Sequence, residues 1–122
     1  MPGMVYKVCS LADWEEAKSK GIFNGSPDDL RDGFIHLSTP GQLAGTLHKH
    51  FSGPDGRALP GLVVVAFEAD ALAPALKWEP ARDGALFPHL YAPLDTRLAD
   101  SEMPLDVDAH GRHVIAGGLA GC

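Results

Sequence analysis

The run Gly61-Leu62-Val63-Val64-Val65-Ala66-Phe67-Glu68 constrains this chain more than any other stretch. Residues 62–67 are all apolar and rich in β formers, a length that suits a strand and falls far short of the ~20 residues of a membrane span. Successive strand side chains point to opposite faces, so a strand apolar at every position has to be covered on both faces. That places it in the centre of a sheet, with packed layers above and below.

Candidate partners are legible on either side. Met4-Val5-Tyr6-Lys7-Val8-Cys9 reads as a first strand, and Ser10 then caps a helix with Asp13 as its box partner. That helix is expected to reach Lys20, with Leu11, Trp14, Ala17 and Lys18 on the packed side, before Gly21 ends it. Residues 22–27 read as turn chemistry. The acidic stretch Asp28-Asp29-Leu30-Arg31-Asp32 reads as a solvated face, with a lid over a pocket as the sharper alternative.

Gly33-Phe34-Ile35-His36-Leu37-Ser38-Thr39-Pro40 carries the first candidate chemistry. A strand here sets Phe34, His36 and Ser38 on one face and Ile35 and Leu37 on the other. Thr39, Pro40 and Gln42 form a Thr-x-x-Gln capping box that opens a helix over residues 40–50, in which Leu43, Leu47 and Phe51 mark the buried stripe and Thr46 and His50 its edge. His48 and His50 are about 200° apart on such a helix, which excludes joint zinc ligation. His110 and His113 flank a turn with no third ligand in view.

A second candidate cluster is Lys77-Trp78-Glu79-Pro80-Ala81-Arg82-Asp83-Gly84-Ala85-Leu86-Phe87-Pro88-His89-Leu90-Tyr91. Lys77, Glu79 and Asp83 read as ion-paired surface, with Trp78 and Phe87 in the core. Arg82 and His89, a forked cation and an imidazole bracketing a turn, suit capture of a phosphate or carboxylate. Elsewhere residues 52–60 read as a loop, 72–76 as one turn of helix, 94–99 as a strand, 100–113 as polar turns and 115–122 as a tail beyond a core of about 5–114.

The 122 residues fit a single domain, and the net charge of -6 with ten scattered Lys and Arg argues against a nucleic-acid footprint. A small anionic or nucleotide-like ligand is the expected partner, without a membrane and with the oligomeric state open. No signal-like segment is evident, and Cys9 and Cys122 suggest no disulfide framework, so a cytoplasmic location is expected. Phosphate loops, Gly-x-Ser-x-Gly, Cys-x-x-Cys and His-Glu-x-x-His are all lacking. No metal site is expected.

Tyr6-Lys7-Val8, Trp14, Asp32 through Thr39, Thr46, His50-Phe51, Lys77-Trp78-Glu79, Arg82 and Leu86-Phe87-Pro88-His89-Leu90-Tyr91 together resemble the domain-of-unknown-function family 952 over nearly the whole chain. More distantly, a Tyr-containing first strand, a helix, the Ile-His-Leu-Ser strand and a second helix are similar to the tRNA 2'-phosphotransferases and the ADP-ribosyltransferase fold. That resemblance implies an α+β fold, a split, mostly antiparallel sheet with flanking helices, whose cleft holds NAD as a substrate rather than a required cofactor. It aligns His36 and Ser38 with the segment facing the nucleotide, and Lys7 with a histidine that holds the nicotinamide ribose.

On this reading His36 and His89 are the candidate catalytic residues. Lys7, Ser38, Thr39, His50, Arg82 and Tyr91 are the candidate ligand-binding residues. The alternative is a non-catalytic module that uses the same cleft to bind a small anion or a modified protein segment.

Overall fold

In the computed structural model, which describes residues 3–81 and 84–114, the apolar run forms β4 (Leu62–Glu68) at the centre of a three-stranded antiparallel sheet. Its neighbours are β1 (Met4–Ser10), in register from Met4 opposite Glu68 to Ser10 opposite Leu62, and β8 (Ser101–Pro104). Alternation along β4 divides the interior in two. Val63, Val65 and Phe67 face one core with Trp14 and Ala17 of α1 (Leu11–Lys20), and Leu62, Val64 and Ala66 face another with Leu43 and Leu47 of α3 (Leu43–His50).

Helix α1 begins and ends where the sequence places it, and α3 ends there. Ser10 Oγ accepts the Asp13 N–H at 3.0 Å, and Gly21, at φ +84°, closes α1 in a left-handed conformation that glycine adopts freely. Gln42 Oε1 accepts the Thr39 N–H at 3.0 Å, and Pro40–Gln42 winds as a tight 3-10 turn before α3.

A second three-stranded antiparallel sheet builds the other side of the molecule, in the order β3 (Ile35–His36), β6 (Leu86–Leu90), β5 (Leu76–Pro80). It is stitched to β1 by a pair of backbone hydrogen bonds, in which Tyr6 N–H donates to the Ser38 carbonyl at 2.7 Å and Ser38 N–H to the Tyr6 carbonyl at 2.9 Å. Two small antiparallel ribbons complete one α+β domain. They pair β2 (Ile22–Phe23) with β7 (Leu94–Asp95), and β9 (Asp106–Val107) with β10 (His113–Val114). Among the described residues no helix is long and apolar enough to cross a membrane.

Five local expectations are corrected. Residues 27–32 form α2 (Pro27–Asp32), opened by a capping box of Ser26 and Asp29 around Pro27, and the expected solvated face holds for the other residues of this helix but not for Asp29, which is buried. Helical turn α4 (Ala69–Leu72) precedes the expected segment, since Ala69 and Leu72 extend the first core while Pro74 cannot continue a helix. The expected strand over 94–99 stops at Asp95, whose carboxylate accepts the Arg97 N–H at 2.9 Å and turns the chain. β8 lies in a stretch read as turns, because an edge strand with one wet edge tolerates polar residues and a proline. Trp78 is 41% exposed rather than in the core. The tail over 115–122 lies outside the described residues.

Trp14 is fully buried, its ring 6.1 Å from Phe23 and 6.2 Å edge-on from Phe67. Trp14→Ala is expected to cost about 3–5 kcal/mol of unfolding free energy, measured by urea denaturation. A loss under about 1 kcal/mol would mean that α1 does not anchor this core.

Candidate functional site

Lys7 lies on the face of β1 that also carries Val5 and Cys9, where alternation calls for an apolar residue. Its side chain is only 4% exposed and the ammonium passes 5.8 Å from the centre of the Phe23 ring. A buried ammonium needs a counter-charge and hydrogen-bond acceptors. Both come from Asp29, whose Oδ2 is 2.8 Å from Lys7 Nζ, and the His36 carbonyl accepts a second bond at 3.2 Å.

The Asp29 carboxylate is saturated. Oδ2 also accepts the Ser26 N–H at 2.8 Å, while Oδ1 accepts the His36 N–H at 3.0 Å and faces His36 Nδ1 at 2.7 Å. Burial pushes its pKa upward, but the His36 imidazole, the Lys7 ammonium and the amide donors outweigh that and hold the carboxyl well below the usual carboxylate range. Gly25 makes room for it. At φ +122° its missing Cβ would lie 2.8 Å from Asp29 Cβ, too close for any side chain.

His36 is gripped at both ring nitrogens, since Nε2 lies 3.0 Å from Asp32 Oδ2. Asp32 in turn takes two bonds from Arg31, at 2.8 and 3.1 Å.

Across the β3–β6 pair His36 stands directly opposite His89, and the two ring centres are 5.7 Å apart. Phe34 stacks on the His89 ring at 4.1 Å and touches His36 at 4.6 Å. His89 Nδ1 lies 2.9 Å from Glu79 Oε1, which also accepts the Tyr91 O–H at 2.7 Å. His89 is 7% exposed, and its Nε2 has no hydrogen-bond partner among the described residues.

Lys7, Asp29, Asp32, His36 and His89 edge a cavity of about 180 Å³, walled by β1, α2, β3, α3 and β6. Lys7, His36, Ser38, His50 and His89 are brought together around it, with Thr46, whose Oγ1 is 2.7 Å from Ser38 Oγ. Thr39 and Tyr91 lie outside its wall, the first in a helix cap and the second beside Glu79. Arg82 and Asp83 fall outside the described residues. Burial pushes the Cys9 thiol up to about 11, which keeps it protonated and unreactive. Among the described residues no group of three or more His, Cys, Asp or Glu side chains could hold a metal ion.

Sequence reasoning passed over Asp29, Asp32 and Glu79. The signal for Asp29 was present, because Ser26-Pro27-Asp28-Asp29 is itself a capping-box pattern with a proline at the first helical position. Glu79 becomes visible once the hairpin register sets it opposite Phe87 and so diagonal to His89.

Fold and cavity define a small α+β domain with a recess edged by two histidines, each held by carboxylates. The chain belongs to the DUF952 family, proteins of unknown function, whose profile matches residues 8–99. It is 45% identical to protein CC0527 of Caulobacter crescentus. The crystal structure of that protein superposes with a TM-score of 0.86 over 96% of this chain and 98% of that one. Its solution NMR structure gives 0.80 over 96% and 97%. No curated protein matches the chain.

Asp29→Asn leaves the buried Lys7 ammonium without its counter-charge and is expected to cost about 3–5 kcal/mol, whereas Lys7→Met/Asp29→Leu recovers much of that loss. Equal destabilisation of the two variants would refute the pairing. In the wild type the folded carboxyl titrates below its unfolded value. The contribution of Asp29 is therefore whole above roughly pH 4 and decays as the pH falls further, a slope that pH-dependent urea unfolding will find reduced in Asp29→Asn.

Proposed function

We propose that the cavity binds a ribose-bearing, nucleotide-like small molecule, with NAD or an ADP-ribose-like phosphorylated compound as the leading candidates, and that His89 moves a proton there. The observation that carries this reading is the state of the two imidazoles. Among the described residues, carboxylates face both nitrogens of His36, whereas His89, which lines the cavity, is held only at Nδ1. A histidine oriented by a carboxylate, with its second nitrogen unengaged, is the arrangement that general acid–base catalysis requires. The Ser38 and Thr46 hydroxyls offer donors and acceptors for sugar hydroxyls. Arg82, next in sequence to Ala81 of the cavity wall, is the proposed partner of a phosphate.

The Ile35-His36-Leu37-Ser38 strand beside a Tyr6-containing first strand supports an ADP-ribosyltransferase-like arrangement, in which the protein is a divergent transferase. A second reading, binding of a small anion or a modified protein segment without turnover, is favoured by a different observation. Lys7 is neutralised by Asp29, and Arg31 by Asp28 and Asp32, so two cations of the wall serve the fold before any ligand.

Titration calorimetry with NAD, ADP-ribose and a cyclic nucleoside phosphate at millimolar concentration tests the first reading. A ligand present at a hundred times its dissociation constant is expected to stabilise the fold by about 2.7 kcal/mol. His89→Gln is expected to retain binding and to lower turnover, followed by mass spectrometry, by about 100-fold or more. Absence of heat with all three compounds would overturn the reading. Heat without turnover in the wild type would establish the second.

A further inference from the structure

The group that holds His89 is itself held, and both contacts meet at one atom. Glu79 Oε1 is 2.9 Å from His89 Nδ1 and accepts the Tyr91 hydroxyl at 2.7 Å. We infer that Glu79, with Tyr91 behind it, is a positioning pair that fixes His89 as the tautomer protonated on Nδ1 and leaves Nε2 bare toward the cavity. The inference rests on the reading of His89 as the proton-moving group and adds two residues that act through it.

An ionised carboxylate only accepts hydrogen bonds, so the ring nitrogen facing it has to carry the proton. Glu79 is kept in that form, its pKa lowered by the Tyr91 hydroxyl and then by His89. The tautomer of a neutral imidazole follows the bond its other nitrogen makes. Ring orientation is fixed as well, because Phe34 stacks on His89 at 4.1 Å with 27° between planes and leans on Tyr91 at 5.2 Å. Turning the imidazole over would keep this stack but take Nδ1 from Glu79, so Phe34 sets the ring plane and Glu79 sets which nitrogen faces which way. The chain of contacts runs outside in, from the 44% exposed Tyr91 through Glu79 to the buried His89. Lys77, directly across the strand pair from His89, is the nearest cation on the same strand as Glu79, and Asp29 and Asp32 face His36 rather than His89.

The test requires no ligand. The 122-residue chain with nitrogen-15 in its six histidines is recorded in long-range proton–nitrogen correlation spectra at alkaline pH. His89 is assigned by the signals lost in His89→Gln. The wild type is expected to show a protonated Nδ1 and a bare Nε2. Glu79→Leu is expected to raise the Nε2-protonated form at least a few-fold, and Tyr91→Phe to give an intermediate mixture. If Glu79→Leu does not fold, Glu79→Gln takes its place, since it keeps the shape and removes the obligate acceptor. A wild-type ring protonated on Nε2, or a pattern unmoved by both substitutions, would overturn the inference. Either outcome is independent of the calorimetry, which bears on ligand binding alone.

Discussion

The placement of a lysine on the core-facing side of β1 sets the rest of the site. Lys7 follows the alternation that puts Val5 and Cys9 inside, so its ammonium is drawn out of water and a partner has to reach it. Asp29 is the residue that does, and it sits on the two-turn helix α2. Holding Lys7, the Ser26 amide and both His36 donors on one carboxylate fixes α2 against β1 and β3. Since α2 forms one wall of the cavity, the recess is a geometric consequence of the buried pair.

The pair is not best understood as a store of stability. Two buried charges lose most of their Coulombic attraction to the cost of desolvation, and the hold on α2 comes as much from the Ser26 and His36 donors that the carboxylate also accepts. What the ions supply is direction. A carboxylate with four fixed donors has one arrangement in which all are satisfied, and that arrangement determines where the His36 ring stands.

Much of the scaffold was legible in the sequence because its signals are local. The apolar run over residues 62–67, the caps at Ser10 and Thr39 and the stripe of Leu43 and Leu47 each state their structure within a few residues. The site was legible in part. His36 and His89 were marked by residue type, but their meeting depends on the β3–β6 register, which no local pattern encodes. Asp29 looked like one more surface acid until the partner in β1, 22 residues earlier, was known. Edge strand β8 was hidden for a related reason, since its polar residues and Pro104 are tolerated only because β4 supplies the pairing.

The two imidazoles make the division between scaffold and chemistry concrete. They occupy equivalent places on paired strands, 5.7 Å apart under the same phenylalanine, yet their surroundings differ in number rather than kind. Carboxylates take both nitrogens of His36, so any reaction there has first to displace Asp29 or Asp32. A carboxylate takes one nitrogen of His89, and the ring is then oriented without being exhausted. The 45% identity to CC0527 establishes the shape that brings these strands together and carries no activity with it. Any chemical role has to be argued from this inequality, in which one histidine is spent on holding the cavity wall and the other is held by it.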